Sequence, residues 1–252
     1  MSLLKTDRHG ATLLLTLDDP GRRNILSRAL CEALSAAIAA ANDDEDLRAI
    51  VITGAGSAFC AGADLDDLEA GADGDTDALY AVYQSFMSVA ESELPTIAAV
   101  NGPAVGAGMN LALACDMRIA SEKAVFETRF LKIGLHPGGG HGWLLLRAVG
   151  WAEATRLLLA NSVVRADEAK AIGLVQQVAA PDLLIEAAMK LAEATNEMPR
   201  ELLVRTKRSL RLAAASDHRR TFEHETAEQL HSMKQPPFRA LLQRMKAAVA
   251  SR

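Results

Sequence analysis

PTIAAVNGPAVGAGMNLALACDMRIAS, residues 95–121, is the stretch that decides the fold. TIAAVN (96–101) is a short, uncharged apolar run closed by Asn-Gly, the pattern of a strand covered on both faces. GPAVGAG then turns through very small residues, MNLALA (109–114) continues as an apolar helix, and MRIA (117–120) returns as a strand. Strand, loop, helix and strand in that order predict an α/β core.

The same theme extends upstream. ATLLLTL (11–17) is a β-type run followed by the turn-rich DDPGRRN. Ser27 is placed to cap a helix in which Leu30, Leu34 and Ile38 recur every four residues. RAIVIT (48–53) reads as a buried strand that runs into GAGSAFCAGADL (54–65). The small acidic segment GADGDTD (71–77) predicts a surface loop, and LYAVYQSFMSVA (79–90) a helix. HPGGG (136–140) opens a helix holding Trp143, Leu144 and Leu145. Beyond about residue 180 the chain is helical in pattern, punctuated by Pro199 and Pro236-Pro237. The expected organisation is therefore an α/β core over 1–180 and a helical region over 181–252.

Composition narrows the function. Of 252 residues half are apolar, 23% are charged and the net charge is −5, which suits a folded domain and excludes a domain-wide basic field for nucleic acid. Cys31, Cys60 and Cys115 form no CxxC pair and read as small buried side chains. The start, MSLLKTDRHG, has no apolar signal core, and no run approaches the ~18–20 apolar residues that span a bilayer. The expectation is a cytoplasmic protein with no membrane partner.

Two strands, 48–53 and 96–101, each run into a loop of very small residues. A dinucleotide reading of VITGAGSAF fails because Phe59 stands where the third glycine of GxGxxG belongs. Ala61-Gly62-Ala63-Asp64 and Gly106-Ala107-Gly108 instead allow a ligand to approach the backbone closely. Two N–H groups converging from such loops, one beside a helix start, would form an oxyanion hole; the alternative is a pair of tight strand-to-helix turns.

AFCAGADL (58–65), residues 95–121, IGLHPGGG (133–140), VVRADEAKAIGLVQQV (163–178) and PGRRNIL (20–26) resemble the crotonase, or enoyl-CoA hydratase/isomerase, superfamily, in the family's order. The resemblance implies a spiral of ββα units with a helical C-terminal region that builds trimers, often paired as hexamers. It implies an acyl-CoA thioester partner, with CoA entering as part of the substrate and no separate cofactor or metal. It assigns the oxyanion donors to the backbone N–H groups of Ala63 and Ala107, and the CoA groove to Arg22, Arg23, Ala61, Asp64 and Leu65. Asp64 is also suited to cap the helix that follows it.

The pattern breaks at the proton-transfer positions. Where hydrating members of the family usually carry two glutamates, this chain has Asn110 and Phe130. Neither exchanges a proton at neutral pH, although an amide can orient water. Glu127 lies near Phe130 but points to the opposite face of an extended segment. His136 is a candidate acid or base, and His141 either takes a site role or packs at its helix. His9, His218, His224 and His231 lie outside the motifs. The resemblance thus implies an enoyl-CoA hydratase that polarises a thioester with a non-standard acid/base. Alternatives are a non-catalytic acyl-CoA-binding protein, or other enolate chemistry such as isomerisation, thioester hydrolysis or decarboxylation.

Overall fold

A computed structural model describes residues 2–250. The strands are β1 (Leu4–His9), β2 (Thr12–Leu17), β3 (Ala49–Gly54), β4 (Thr96–Val100), β5 (Pro103–Val105), β6 (Met117–Ser121), β7 (Val125–Glu127), β8 (Val164–Arg165) and β9 (Gln177–Ala179). The α-helices are α1 (Arg28–Asp43), α2 (Leu65–Ala72), α3 (Asp77–Glu91), α4 (Ala107–Ala114), α5 (His141–Leu159, interrupted at Gly150), α6 (Ala166–Ala171), α7 (Leu184–Asn196), α8 (Arg200–Ala215), α9 (His218–Met233) and α10 (Pro236–Ala250). Among the described residues no helix is long and apolar enough to cross a membrane.

Six strands form one sheet in the order β1-β2-β3-β4-β6-β9, and β5-β7-β8 form a second. In the first sheet β1 and β2 are antiparallel and the remaining pairs are parallel. Every residue of β3 and β4 is buried, as two-faced coverage demands and as their unbroken apolar sequences predict. Ala49 and Val51 of β3, with Ile97 and Ala99 of β4 and Ile119 of β6, meet Leu184, Ala188 and Ala192 of α7. Those three recur every four residues, which sets them on one helix face. The small alanines let α7 lie close to the sheet.

This packing moves the boundary expected at residue 180. The first compact unit runs through Asn196, because α7 completes the sheet's core, and the second begins at Glu197. Within the second unit, Arg205 of α8 pairs with Glu201 on its own helix and with Glu228 of α9, both at 2.8 Å. Asp217 caps α9 by accepting from the Arg220 N–H at 2.9 Å. Phe222, Met245 and Val249 leave apolar surface exposed on this unit.

β3 and β4 are parallel neighbours, so their C-terminal ends open on the same side. The loop 55–64 and the segment 101–106, which holds β5, leave from those ends, where α/β sheets generally bind ligands.

Candidate active site

Three chain segments are laced together above β3 and β4. The Phe59 and Cys60 N–H groups both donate to Pro103 O at 3.1 Å, and Val105 N–H donates to Cys60 O at 3.0 Å. From the other side Leu26 N–H donates to Gly62 O at 2.8 Å and Ala61 N–H to Arg23 O at 3.0 Å. Asn24 ties the base of this assembly. Its amide nitrogen donates to Ala55 O at 2.9 Å and Ala58 O at 2.8 Å, while its oxygen accepts from Asp19 N–H at 2.9 Å.

Two glycines make the close approach possible. Gly62 has φ +113°, and a Cβ there would stand 2.9 Å from Val105 O and 3.8 Å from Ala107 N. Gly108, in the first turn of α4, faces Cys60, whose carbonyl oxygen would lie 2.1 Å from a Cβ. The loop bearing Ala63 and the start of α4 at Ala107 are thereby brought side by side. Neither the Ala63 nor the Ala107 N–H donates to an acceptor among the described residues. The Ala107 amide is the first of α4, so it is among the donors a helix leaves without an internal partner, and it lies at the positive end of the helix dipole.

Both alanines line a cleft walled also by Ala61, Leu65, Asn110 and Phe130. Its lining is mostly apolar with a few polar groups, as small-molecule sites are. Leu65 is 69% exposed at the rim, where apolar surface is free to cover a ligand. Arg22 and Asp64 form an ion pair, and Asp64 also caps α2 by accepting from Asp66 N–H at 3.3 Å. Arg23 is exposed, with no ion pair among the described residues.

His136 does not join this wall. It is exposed, and its Nδ1 lies 2.8 Å from Pro137 O in its own turn. His141, five residues on, points inward and is buried. Its Nδ1 hydrogen-bonds Asn110 Oδ1, and its ring meets Phe130 in an edge contact with centroids 5.0 Å apart. Burial lowers its pKa to about 4, so it is neutral at neutral pH. Glu127 is likewise unavailable, held by Arg129 and by Lys132 at 2.8 Å. The Arg129 hydrogen bond leads in pulling its pKa down.

Among the described residues the wall therefore contains no Asp, Glu or His side chain. Its proton-bearing polar groups are the Tyr83 phenol, the Thr128 hydroxyl and Arg129. Thr128 is spent on Leu157 O at 3.0 Å, and Arg129 is bound to Glu127. Tyr83 has no hydrogen bond among the described residues, and burial raises its pKa, keeping it protonated. Sequence reading passed over Tyr83 because its spacing with Leu79, Val82 and Phe86 spells only a helix face. The motif PGRRNIL likewise gives no sign in sequence that Asn24 is its structural tie. Among the described residues the three cysteines are buried and form no disulfide, and burial pushes Cys60 up to about 12 and Cys31 up to about 11, which removes these two as nucleophiles. Among the described residues no cluster of His, Cys, Asp and Glu could hold a metal ion.

The enoyl-CoA hydratase/isomerase family model matches residues 7–244. A probable enoyl-CoA hydratase of Mycobacterium tuberculosis is 45% identical over 247 residues, covering 95% of each chain. A 2,3-dehydroadipyl-CoA hydratase of Escherichia coli is 40% identical over 197 residues, 76% of this chain and 75% of that one. The crystal structure of an enoyl-CoA hydratase from Bacillus anthracis superposes with a TM-score of 0.93 at 30% identity, covering 98% of this chain and 96% of that one. The paired small-residue loops, the two-sheet fold and these near full-length matches agree, and the chain belongs to the enoyl-CoA hydratase/isomerase family.

Proposed function

We propose that this protein binds acyl-CoA thioesters and stabilises an enolate at the thioester oxygen through the backbone N–H groups of Ala63 and Ala107. The observation that carries the reading is the pair of unspent amides on adjoining loops at one wall of an apolar cleft. Donors fixed where charge develops lower the barrier more than they favour the bound ground state. CoA lies along Arg22, Arg23, Ala61, Asp64 and Leu65, with Arg23 the phosphate partner, because Arg22 already holds Asp64.

The reaction is hydration of a 2-enoyl-CoA, in keeping with the names of the relatives. Water oxygen bonds to Cβ, the Cα=Cβ electron pair moves toward the thioester oxygen, and Cα takes a proton from Tyr83. The proton released by the water returns to Tyr83. With a phenol whose burial disfavours ionisation, turnover is slow. A second reading, a non-catalytic acyl-CoA binder, is favoured by the absence of carboxylate or imidazole from the wall. The exposed apolar side chains of α9 and α10 suit a trimer contact.

Calorimetry with butyryl-CoA and a crotonyl-CoA hydration assay test both readings. A micromolar Kd, about −8 kcal/mol, is expected. Turnover well below the ordinary ~10 s⁻¹ supports the enzyme, binding without turnover supports the binder, and no binding at any chain length rejects both.

A further inference from the structure

The two positions at which this chain departs from the family's glutamates, Asn110 and Phe130, both touch one buried side chain, His141. His141 is the first residue of α5 and is 1% exposed. Asn110 comes from α4 and Phe130 from the turn after β7, so three separate segments meet at the imidazole. The hydrogen bonding fixes the chemistry at each atom. The Asn110 amide nitrogen donates to Gly138 O at 2.9 Å, which identifies its other terminal atom as the oxygen. That oxygen accepts, so His141 Nδ1 carries the proton and donates. The imidazole is then the neutral Nδ1–H tautomer, with Nε2 as a bare acceptor. Nε2 is fully buried and has no partner among the described residues. An orphaned buried acceptor is costly, and it persists where the rest of the side chain is needed in place.

An amide has two donor hydrogens and two acceptor lone pairs. Gly138 O takes one hydrogen of Asn110 and His141 takes one lone pair, leaving one N–H and one lone pair. Asn110 lines the cleft, and Tyr83 packs against the same Gly138, its hydroxyl 2.3 Å from where a Cβ would stand. We propose that His141 is a positioning residue. Seated against Phe130, it locks the orientation of the Asn110 amide so that the remaining N–H and lone pair hold a water or the acyl group beside Tyr83. Phe130 fills the space a second carboxylate would occupy and braces the ring. The inference rests on the acyl-CoA reading for what Asn110 contacts, and on the hydrogen-bond geometry alone for how Asn110 is held.

Two variants separate positioning from packing. His141→Asn carries an amide N–H where Nδ1–H stands, and His141→Gln carries it one methylene further out. Nitrogen-15 NMR of the full chain at neutral pH is expected to find His141 protonated at Nδ1 only. The Asn110 side-chain NH₂ signals are expected to be inequivalent and slow to exchange, retained in His141→Asn and lost in His141→Gln at comparable melting temperature. With crotonyl-CoA, kcat is expected to fall about 100-fold in His141→Gln with little change in KM, and to recover within about 5-fold in His141→Asn. A proton on Nε2, or Asn110 signals indifferent to both variants, overturns the proposal whether or not the protein turns over substrate. Failure of the wild type to bind butyryl-CoA instead overturns the acyl-CoA reading and leaves the NMR result to decide the role of His141.

Discussion

Replacing Ala107 with proline removes one of the two amide hydrogens on which the proposed function depends while sparing the helix that carries it. Ala107 is the first residue of α4, a position where proline is favoured because its fixed φ suits the helix and the missing N–H has no helical partner. The preceding residue must avoid the α region before proline. Gly106, at φ 52° and ψ −114°, lies in the mirror image of the extended region, which glycine tolerates. The expected cost in stability is therefore small. The proline ring places a carbon where the donated hydrogen stood, so the substitution both deletes a donor and blocks the oxygen's seat. Loss of one oxyanion donor typically costs ~2.7–4 kcal/mol in the transition state, a 10²–10³-fold fall in turnover. Loss of a neutral hydrogen bond in the ground state costs ~0.5–1.5 kcal/mol, so Kd rises by at least about 2- to 13-fold, and further as the ring crowds the oxygen. The assay is crotonyl-CoA hydration beside calorimetry with butyryl-CoA, with Ala107→Gly, which keeps the N–H, as control. Should Ala107→Pro melt and bind as the wild type does and turn over substrate at the same rate, the reasoning about these amides is wrong.

Tyr83→Phe removes the wall's one unspent hydroxyl and is expected to slow hydration by ~10²-fold while butyryl-CoA binds within about 2-fold; equal turnover would exclude the phenol as proton carrier. Arg23→Ala is expected to weaken acyl-CoA and free CoA alike by about 5-fold, read by calorimetry, with a smaller effect once salt screens the phosphates. The depressed pKa of His141, about 4 against the ordinary 6.5, has a defined sign in stability. The unfolded chain takes up a proton that the folded chain refuses, so the contribution is complete above pH 6.5 and is lost as pH falls toward 4, up to roughly 3 kcal/mol. Urea midpoints of the wild type should thus drop more steeply than those of His141→Asn across that interval.

The fold was legible where burial dictates sequence. β3 and β4, buried throughout, can be written only in Ala, Val, Ile and Thr with a closing glycine, and they announce themselves. β1 does not. Only Leu4 is buried, and LKTDRH resembles a loop because it is an edge strand whose ladder to β2 carries charged side chains. The acidic segment at 71–77 was read as loop, yet α2 reaches Ala72 and α3 begins at Asp77, which leaves only the intervening turn. α7 looks like the helices after it because alanine serves exposed helices and close-packed ones equally well. Its place in the first unit rests on contacts with strands far away in sequence.

The site was legible in its backbone half and opaque in its side-chain half. Alanine and glycine at 61–63 and 106–108 mark close approach of main chain whatever lies around them. His136 and His141, by contrast, flank the same turn, and local sequence gives no reason to prefer either. The path through residues 137–140 turns one ring to solvent and the other onto Asn110, an interaction between residues 31 apart. The ion pairs that neutralise Glu127 are local in sequence, at two and five residues, but only the fold shows both cations turned onto the same carboxylate.

Isotope-edited infrared spectroscopy of crotonyl-CoA labelled with carbon-13 at the thioester carbonyl tests directly the proposed grip of Ala63 and Ala107 on the oxygen. The carbonyl stretch should move to lower frequency on binding to the wild type than in water, and should return toward the free value in Ala107→Pro. A bound carbonyl that vibrates as it does in water, or a shift unchanged by Ala107→Pro, would contradict the account.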